Sequence, residues 1–188
     1  ELHPQDIENL NGIVLICSVP PSGNFKLTLR YLRRSLVDSY KITAGLAARK
    51  CIQNEDLCRE LFFGGPKLLY DSTGEVLDDF GLTDDDIRRY QSYFARDTVA
   101  VIDLSHLSRN LPWSKADADG RSPEVGRLPP TLVLGAGRDF IVDQVANEET
   151  AAFFGADPPT IIDSPHDVML GANWKNGAEA IDKFVKEK

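Results

Sequence analysis

Several features that would assign a class of protein at once are missing from this sequence of 188 residues. The longest apolar run, residues 13–17, is far shorter than the roughly 20 residues that cross a bilayer. The first residues lack the basic-then-apolar pattern of a secretory signal. From these absences we expect a soluble, intracellular protein with no transmembrane segment.

Cysteine is rare, and its spacing does not indicate metal binding. Cys17, Cys51 and Cys58 fit neither the spacing of a zinc site nor that of a disulfide framework. Cys17 lies in the first apolar run, where a small buried hydrophobe is expected, and the other two fall on a predicted helix. We interpret all three as free thiols in a reducing compartment.

Basic residues are outnumbered, with 21 Lys and Arg against 29 Asp and Glu, a net charge of −8 and a pI of about 4.9. Such a chain repels a phosphate backbone, so we expect no nucleic-acid partner. The acidic residues at 78–79 and 84–86 have no histidine or spaced ligand loop beside them, and we interpret them as a solvated helix start. We expect no metal and no cofactor.

Continuous rather than alternating apolar segments predict strands that are buried on both faces, as in a parallel sheet. These segments cover residues 13–19, 131–134 and 160–162. The last two each lead into a predicted helix, the first capped by Asp143 and the second spanning residues 173–186. This alternation of strand and helix predicts an α/β fold.

The region between residues 23 and 130 has a different pattern, with apolar residues at helical spacing. Leu29, Leu32 and Leu36 follow this spacing, and Asn54 and Thr83 are candidate helix caps. The pattern predicts a long helical insertion between two parallel strands.

Two side chains suited to acid–base chemistry follow predicted strands. Asp139 ends a Gly-rich turn after residues 131–134, and His166 follows residues 160–162. Because ligands bind beyond the carboxyl ends of parallel strands, both side chains would lie at the same edge of the sheet. A histidine oriented by a buried carboxylate can act as a general base toward a nucleophile. We therefore predict that Asp139 and His166 are catalytic.

Other acids and histidines have simpler explanations. Asp143 is better placed as a helix cap, and Asp167 follows His166 so directly that its side chain should point elsewhere. His106 falls among insertion residues and is interpreted as structural. His3 lies close to the start of the sequence and carries little weight.

Nucleophiles are harder to find. Ser18, Ser22 and Cys17 are not flanked by glycines in the way that a nucleophile elbow requires, and Gly-x-Ser-x-Gly does not occur. A nucleotide-binding protein also fits poorly, since residues 135–137 lack the third glycine of the dinucleotide-binding motif.

Three segments resemble a known family. Residues 130–142, PTLVLGAGRDFIV, look like the acid-bearing strand and turn of the α/β-hydrolase superfamily. Residues 166–170, HDVML, followed by Trp174 and a closing helix, are similar to its histidine loop and last helix. The turn SVPPSGN at residues 18–24 is similar to a plant and algal branch of single-domain hydrolases.

The resemblance implies an incomplete α/β-hydrolase fold, in which three parallel strands form a sheet edge and a helical cap is inserted. Residues 1–23 would be a linker and the sixth strand, and residues 24–128 the cap or lid. Residues 129–188 would be the C-terminal core, with strands seven and eight and the last helices.

The family's chain order is nucleophile, acid, histidine. The resemblance therefore implies the C-terminal portion of a serine hydrolase for ester or acyl substrates, lipid-like ones included. Its nucleophile would come from sequence upstream of residue 1, and this chain alone would be inactive. The alternative is a non-catalytic, hydrolase-like subunit of a larger assembly. Either way, an N-terminal half or another subunit is expected to cover the sixth strand, because an apolar edge left unpaired invites association. The organelle stays open, and the plant and algal likeness makes a plastid conceivable.

Overall fold

The computed structural model contains six α-helices and two small sheets in the part of the chain that it describes. Its description covers residues 9–64, 69–70, 76–78, 82–98, 110, 115–171 and 173–187. The strands are β1 (Ile13–Ile16), β2 (Leu69–Tyr70), β3 (Val76–Asp78), β4 (Thr131–Ala136) and β5 (Thr160–Ile162). The helices are α1 (Phe25–Arg34), α2 (Leu36–Leu46), α3 (Glu55–Phe62), α4 (Asp84–Asp97), α5 (Gln144–Phe154) and α6 (Trp174–Lys186).

The three strands predicted from continuous apolar segments form one parallel sheet, in the order β1–β4–β5. Ile16 pairs with Leu134, and Ala136 pairs with Ile162, so the strands end at one edge. The central strand is the most buried, with Leu134 fully inaccessible. The mixed α/β fold with a parallel sheet is confirmed. The predicted burial on both faces holds for the last four residues of β4, whereas all four β1 residues are half-buried and two of the three β5 residues are exposed.

The helices that follow β4 and β5 pack back onto the sheet, α5 against β4 and α6 against both β4 and β5. α5 begins where the sequence predicts, since the Asp143 carboxylate accepts a hydrogen bond from Ala146 N at 2.8 Å. It ends at Gly155, whose φ of +63° is the left-handed conformation that favours glycine at a helix end. Local capping signals therefore set both ends of this helix.

A hydrophobic cluster lies around α3 and α4 of the insertion, and Phe140, Ile141 and Leu170 of the C-terminal region pack against it. Its fully buried members include Cys58, Leu61 and Ile87. The predicted cap of α3 is confirmed by the Asn54 side chain, which accepts from Leu57 N. The cap of α4 is confirmed by the reciprocal hydrogen bonds between Thr83 and Asp86.

Two expectations for the insertion are corrected. It is not purely helical, because β2 and β3 form an antiparallel pair whose strands are too short to show a periodicity. Cys51 and Cys58 do not share a helix, since Cys51 lies in a 3₁₀ turn and Asn54 starts α3 after it.

The leucines at helical spacing do not form the buried face of a single helix. Ser35, with φ −158° and ψ 115°, ends α1 and caps α2 by accepting a hydrogen bond from Asp38 N. Leu36 therefore starts a new helix, and its side chain is exposed, as is that of Leu32. The buried face of α1 is formed by Leu27 and Tyr31 instead.

Polar contacts join α1 to the chain segment after β4. Arg30 forms a bidentate ion pair with Asp143, in which Nε and Nη2 lie 2.7 and 2.8 Å from the carboxylate oxygens. Its Nη1 also donates to Glu149 Oε1 at 3.1 Å. The Tyr31 hydroxyl donates to the Phe140 carbonyl at 2.8 Å. Two-pronged arginine–carboxylate pairs fix orientation as well as distance, so α1 is held in register with the turn after β4.

None of the helices described combines the length and the apolar character that a membrane span would require.

The close packing of β4, α5 and β5 predicts the effect of a methyl group at Gly135. An alanine Cβ there would lie 2.7 Å from Ile161 Cδ1 and 2.8 Å from Asn147 Nδ2, both tighter than real contacts allow. We expect Gly135→Ala to lower the free energy of unfolding by about 1–3 kcal/mol, measured by urea denaturation. Gly126→Ala, whose Cβ would meet nothing within 4 Å, is the control and should change it by less than about 0.5 kcal/mol. Equal losses in the two variants would contradict this packing.

Candidate active site

The Asp139 carboxylate is fixed by the backbone that follows it. One oxygen, Oδ1, accepts hydrogen bonds from Ile141 N at 2.7 Å and Val142 N at 2.8 Å. The side chain is only 1% exposed. A buried carboxylate needs such donors to offset its lost hydration, and here the turn after β4 supplies them.

His166 lies in the loop after β5, and its ring meets this carboxylate. The Nδ1 atom is 2.9 Å from Asp139 Oδ2 and 3.0 Å from Oδ1. The ring also lies against that of Phe62, with centroids 5.9 Å apart, and the next backbone amide, Asp167 N, donates to the Phe62 carbonyl. The insertion therefore helps to hold the histidine loop beside the acid.

The two predicted catalytic residues are thus brought together, although 27 positions separate them in the sequence. The structure does this through the parallel pairing of β4 with β5, which aligns the turn and the loop that carry them. His166 is 22% exposed, which leaves part of the ring open to a substrate. Their catalytic role stays a prediction.

Cys17, which the sequence analysis considered as a nucleophile and set aside, lies at the site. Its Sγ, a carboxylate oxygen of Asp139 and a ring nitrogen of His166 all lie within 4.8 Å of one another. Cys17 directly follows β1 and has a φ of +46°, a strained conformation for a residue with a side chain. Its position at a strand end was the available signal, but its φ was not visible in the sequence.

The environment of Cys17 makes it a hydrogen-bond donor rather than a nucleophile. Burial first, and then the charge of Asp139 and a hydrogen bond to it, raise the pKa of the Cys17 thiol above its ordinary value. The thiolate is the reactive form, so this thiol is suppressed. It adds a weak donor beside a carboxylate that already accepts from two backbone amides.

Sulfur, oxygen and nitrogen donors together could hold a divalent metal such as zinc. The distance between the donor atoms distinguishes a metal site from a hydrogen bond. In a tetrahedral site with bonds of about 2.0–2.1 Å, nitrogen and oxygen ligands lie roughly 3.3 Å apart. The observed Nδ1–Oδ2 distance of 2.9 Å is that of a hydrogen bond. The described arrangement therefore fits an acid–histidine pair better than a metal centre.

The rival acids have other contacts. Asp143 caps α5 and pairs with Arg30, as its predicted capping role requires. The Asp167 carboxyl has a pKa raised by burial, and its Oδ1 atom has no hydrogen-bond partner among the described residues. The predictions for His3 and His106 fall outside the described residues.

The acidic residues that start α4 form ion pairs with neighbouring arginines. Asp84, Asp85 and Asp86 form ion pairs with Arg59, Arg88 and Arg89, in that order. Their interpretation as a helix start is confirmed, and the side chains at positions 78 and 79 are outside the described part.

Neither serine considered as a substitute nucleophile contacts the histidine. In the described part of the chain, no hydrogen bond joins His166 to Ser18 or Ser22. The Ser18 hydroxyl is buried and has no hydrogen-bond partner among the described residues, and the Ser18 carbonyl accepts a hydrogen bond from the Thr150 hydroxyl. The site therefore brings together a carboxylate, an imidazole and a thiol.

Comparisons of the chain with protein-family models, with curated proteins and with solved structures found no match. Inference about function consequently depends on the geometry around Asp139 and on the order of the strands.

The Asp139–His166 contact predicts the tautomer of the imidazole. Neutral His166 should carry its proton on Nδ1 and leave Nε2 free, because only Nδ1 faces the carboxylate. Asp139→Asn should switch the proton to Nε2, since the amide oxygen would face the Ile141 and Val142 amides and its NH₂ would face the ring. Nitrogen-15 NMR of the imidazole distinguishes the two forms. The Nε2–H tautomer in the unmodified chain would contradict the assignment.

The buried thiols predict slow alkylation. Burial also raises the pKa of Cys58, to about 12 from 9.0, which lowers its thiolate fraction near neutral pH by about three orders of magnitude. Cys17 and Cys58 should therefore react with iodoacetamide at pH 8 at least roughly 100-fold more slowly in the folded chain than in urea. Peptide mapping by mass spectrometry gives the rate at each cysteine. Fast labelling of folded Cys17 would reinstate it as a candidate nucleophile.

Proposed function

We propose that Asp139 and His166 are the acid and the base of a serine hydrolase of the α/β-hydrolase superfamily. The observation that carries this proposal is the 2.9 Å contact between a buried, amide-held carboxylate and Nδ1 of a partly exposed histidine. The two residues follow neighbouring parallel strands, in the order acid then histidine that the family uses.

The mechanism assigns one task to each ring nitrogen. Nδ1–H donates to Asp139, which keeps the ring oriented and stabilises the imidazolium once it forms. Nε2 removes the proton from the attacking hydroxyl and later returns it to the leaving group. Two backbone amides and the imidazolium donate to the Asp139 carboxylate, so the carboxylate stays in place while Nε2 exchanges the proton with the substrate.

The nucleophile belongs, on this proposal, to a Gly-x-Ser-x-Gly segment upstream of residue 1. Among the described strands, β1 has a neighbour only on its β4 side. All four β1 side chains are apolar and only partly buried, as expected of a strand with room for another beside it. A nucleophile-bearing strand added parallel to β1 would end beside Cys17 and His166. A separate subunit bearing such a strand would serve equally well.

The substrate class follows from the surroundings of His166. The Phe62 ring lies next to the imidazole and continues to Phe94, at a centroid distance of 5.2 Å. Both aromatic residues come from the insertion, so the wall beside the base is apolar. An ester or thioester with an apolar acyl group fits such a wall, and in this scheme the insertion closes over it.

The test is fluorophosphonate labelling of the chain joined to, or co-expressed with, its upstream sequence. His166→Gln should lower the labelling rate of the serine by roughly 10³-fold or more, since the base is lost. His106→Gln, at the histidine interpreted as structural, is the matched control and should label at the unmodified rate. If the complete protein has no labelled serine, or if the serine reacts equally well in both variants, the catalytic proposal is wrong. A non-catalytic hydrolase-like subunit would then remain.

A further inference from the structure

The outer surface of the first two insertion helices is not used by the Asp139–His166 pair. It joins exposed apolar side chains to an excess of positive charge. We call it the α1–α2 surface and define it by Phe25, Leu32, Arg33, Leu36, Val37 and Tyr40.

The apolar part of this surface is unusually exposed for large side chains. The exposed fractions are 77% for Phe25, 48% for Leu32, 73% for Leu36, 63% for Val37 and 64% for Tyr40. Phe25 and Leu32 are seven positions apart and share a face of α1, away from its buried face. Leu36 and Tyr40 are neighbours one turn apart on α2. Five exposed large apolar side chains on two successive helices are the pattern of an interaction site rather than of scattered surface residues.

The charge of the same segment opposes that of the whole chain. Residues 25–50 contain seven Lys or Arg and a single acid, Asp38, in a chain with a net charge of −8. Lys26 and Arg30 pair with acids of α5 or its cap, and Arg34 and Lys41 also have acidic partners. Arg33, Arg49 and Lys50 pair with none of the acids in the described part, so the segment keeps a positive surplus.

Exposed apolar side chains among basic ones are the pattern of a helix that lies in a membrane interface. We propose that the α1–α2 surface binds an anionic lipid bilayer, with its apolar side chains between the headgroups and its bases on the lipid phosphates. Residues outside 25–50 carry the compensating negative charge, so an anionic membrane would favour the orientation in which the α1–α2 surface faces it.

Two other occupants fit these residues less well. The core of a protein–protein interface is depleted in lysine, whereas here Lys26 adjoins Phe25 in the sequence and Lys50 contacts Tyr40. Nucleic acid would use the bases but would leave the aliphatic residues at positions 32, 36 and 37 without a role.

The proposal does not depend on the activity of Asp139 and His166. Each base at an anionic surface contributes about five- to tenfold in affinity, and the few apolar residues add a similar factor each. Binding should therefore be reversible and should weaken as salt is added, because screening acts on the electrostatic part.

The experiment is co-sedimentation of the folded chain with vesicles of phosphatidylcholine, alone or mixed with phosphatidylserine. We expect binding to the mixed vesicles only. Arg33→Glu should weaken it by roughly 30-fold, because it changes two charge units without breaking a described ion pair. The double change Leu36→Gln with Val37→Gln should weaken it by roughly 30-fold, because two apolar side chains worth about fivefold each are lost.

The matched controls lie on α6. Val185 is 64% exposed, and Lys175 is exposed and has no ion pair with a described acid, so Val185→Gln and Lys175→Glu alter accessible groups elsewhere. Both controls should bind within about twofold of the unmodified chain, as should His166→Gln, whose result separates this proposal from the hydrolase proposal. Circular dichroism verifies that each variant is folded.

Three outcomes would overturn the proposal. The first is an absence of binding to the phosphatidylserine vesicles, and the second is equal binding to both kinds of vesicle. The third is a loss in the α6 controls as large as that in the α1–α2 variants. Sedimentation velocity tests whether a second copy of the chain occupies the surface instead. If the chain is a dimer that Leu36→Gln with Val37→Gln dissociates, and if it does not bind vesicles, the surface is a dimer interface.

Discussion

The buried charge of Asp139 is the constraint on which the rest of this structure depends. A carboxylate that is 1% exposed is tolerable only if donors surround it, and they come from three separate places. The turn supplies two amides, the loop after β5 supplies an imidazole, and the residue after β1 supplies a thiol. All three strands of the sheet must therefore be in register for the charge to be accommodated.

The two proposals concern opposite sides of the insertion. Its inner side brings Phe62 against the histidine ring, where an apolar wall strengthens electrostatic contacts by excluding water. The outer side of α1 and α2 keeps leucines and arginines exposed. A lipid-like acyl substrate would connect the two sides, since a molecule drawn from a bilayer meets the outer one first.

Features that depend on interactions between residues close in the sequence could be predicted, and features that depend on distant segments could not. The strands were visible because a covered parallel sheet needs continuous apolar residues, and the caps at Asn54, Thr83 and Asp143 were visible because each bonds its own helix. The break at Ser35 was hidden, since the leucine spacing runs on across it. Cys17 was hidden as well, because its contact with Asp139 depends on a backbone angle and on distant chain segments.

The hydrogen bond from Tyr31 to the Phe140 carbonyl links α1 of the insertion to the turn after β4 that carries Asp139. Phe140 is the residue between Asp139 and the amides that hold it, so displacement of α1 pulls on the peptide that orients the carboxylate. Arg30 reinforces this link through Asp143. The position of the carboxylate beside the imidazole therefore depends on how α1 packs, as well as on the pairing of the strands.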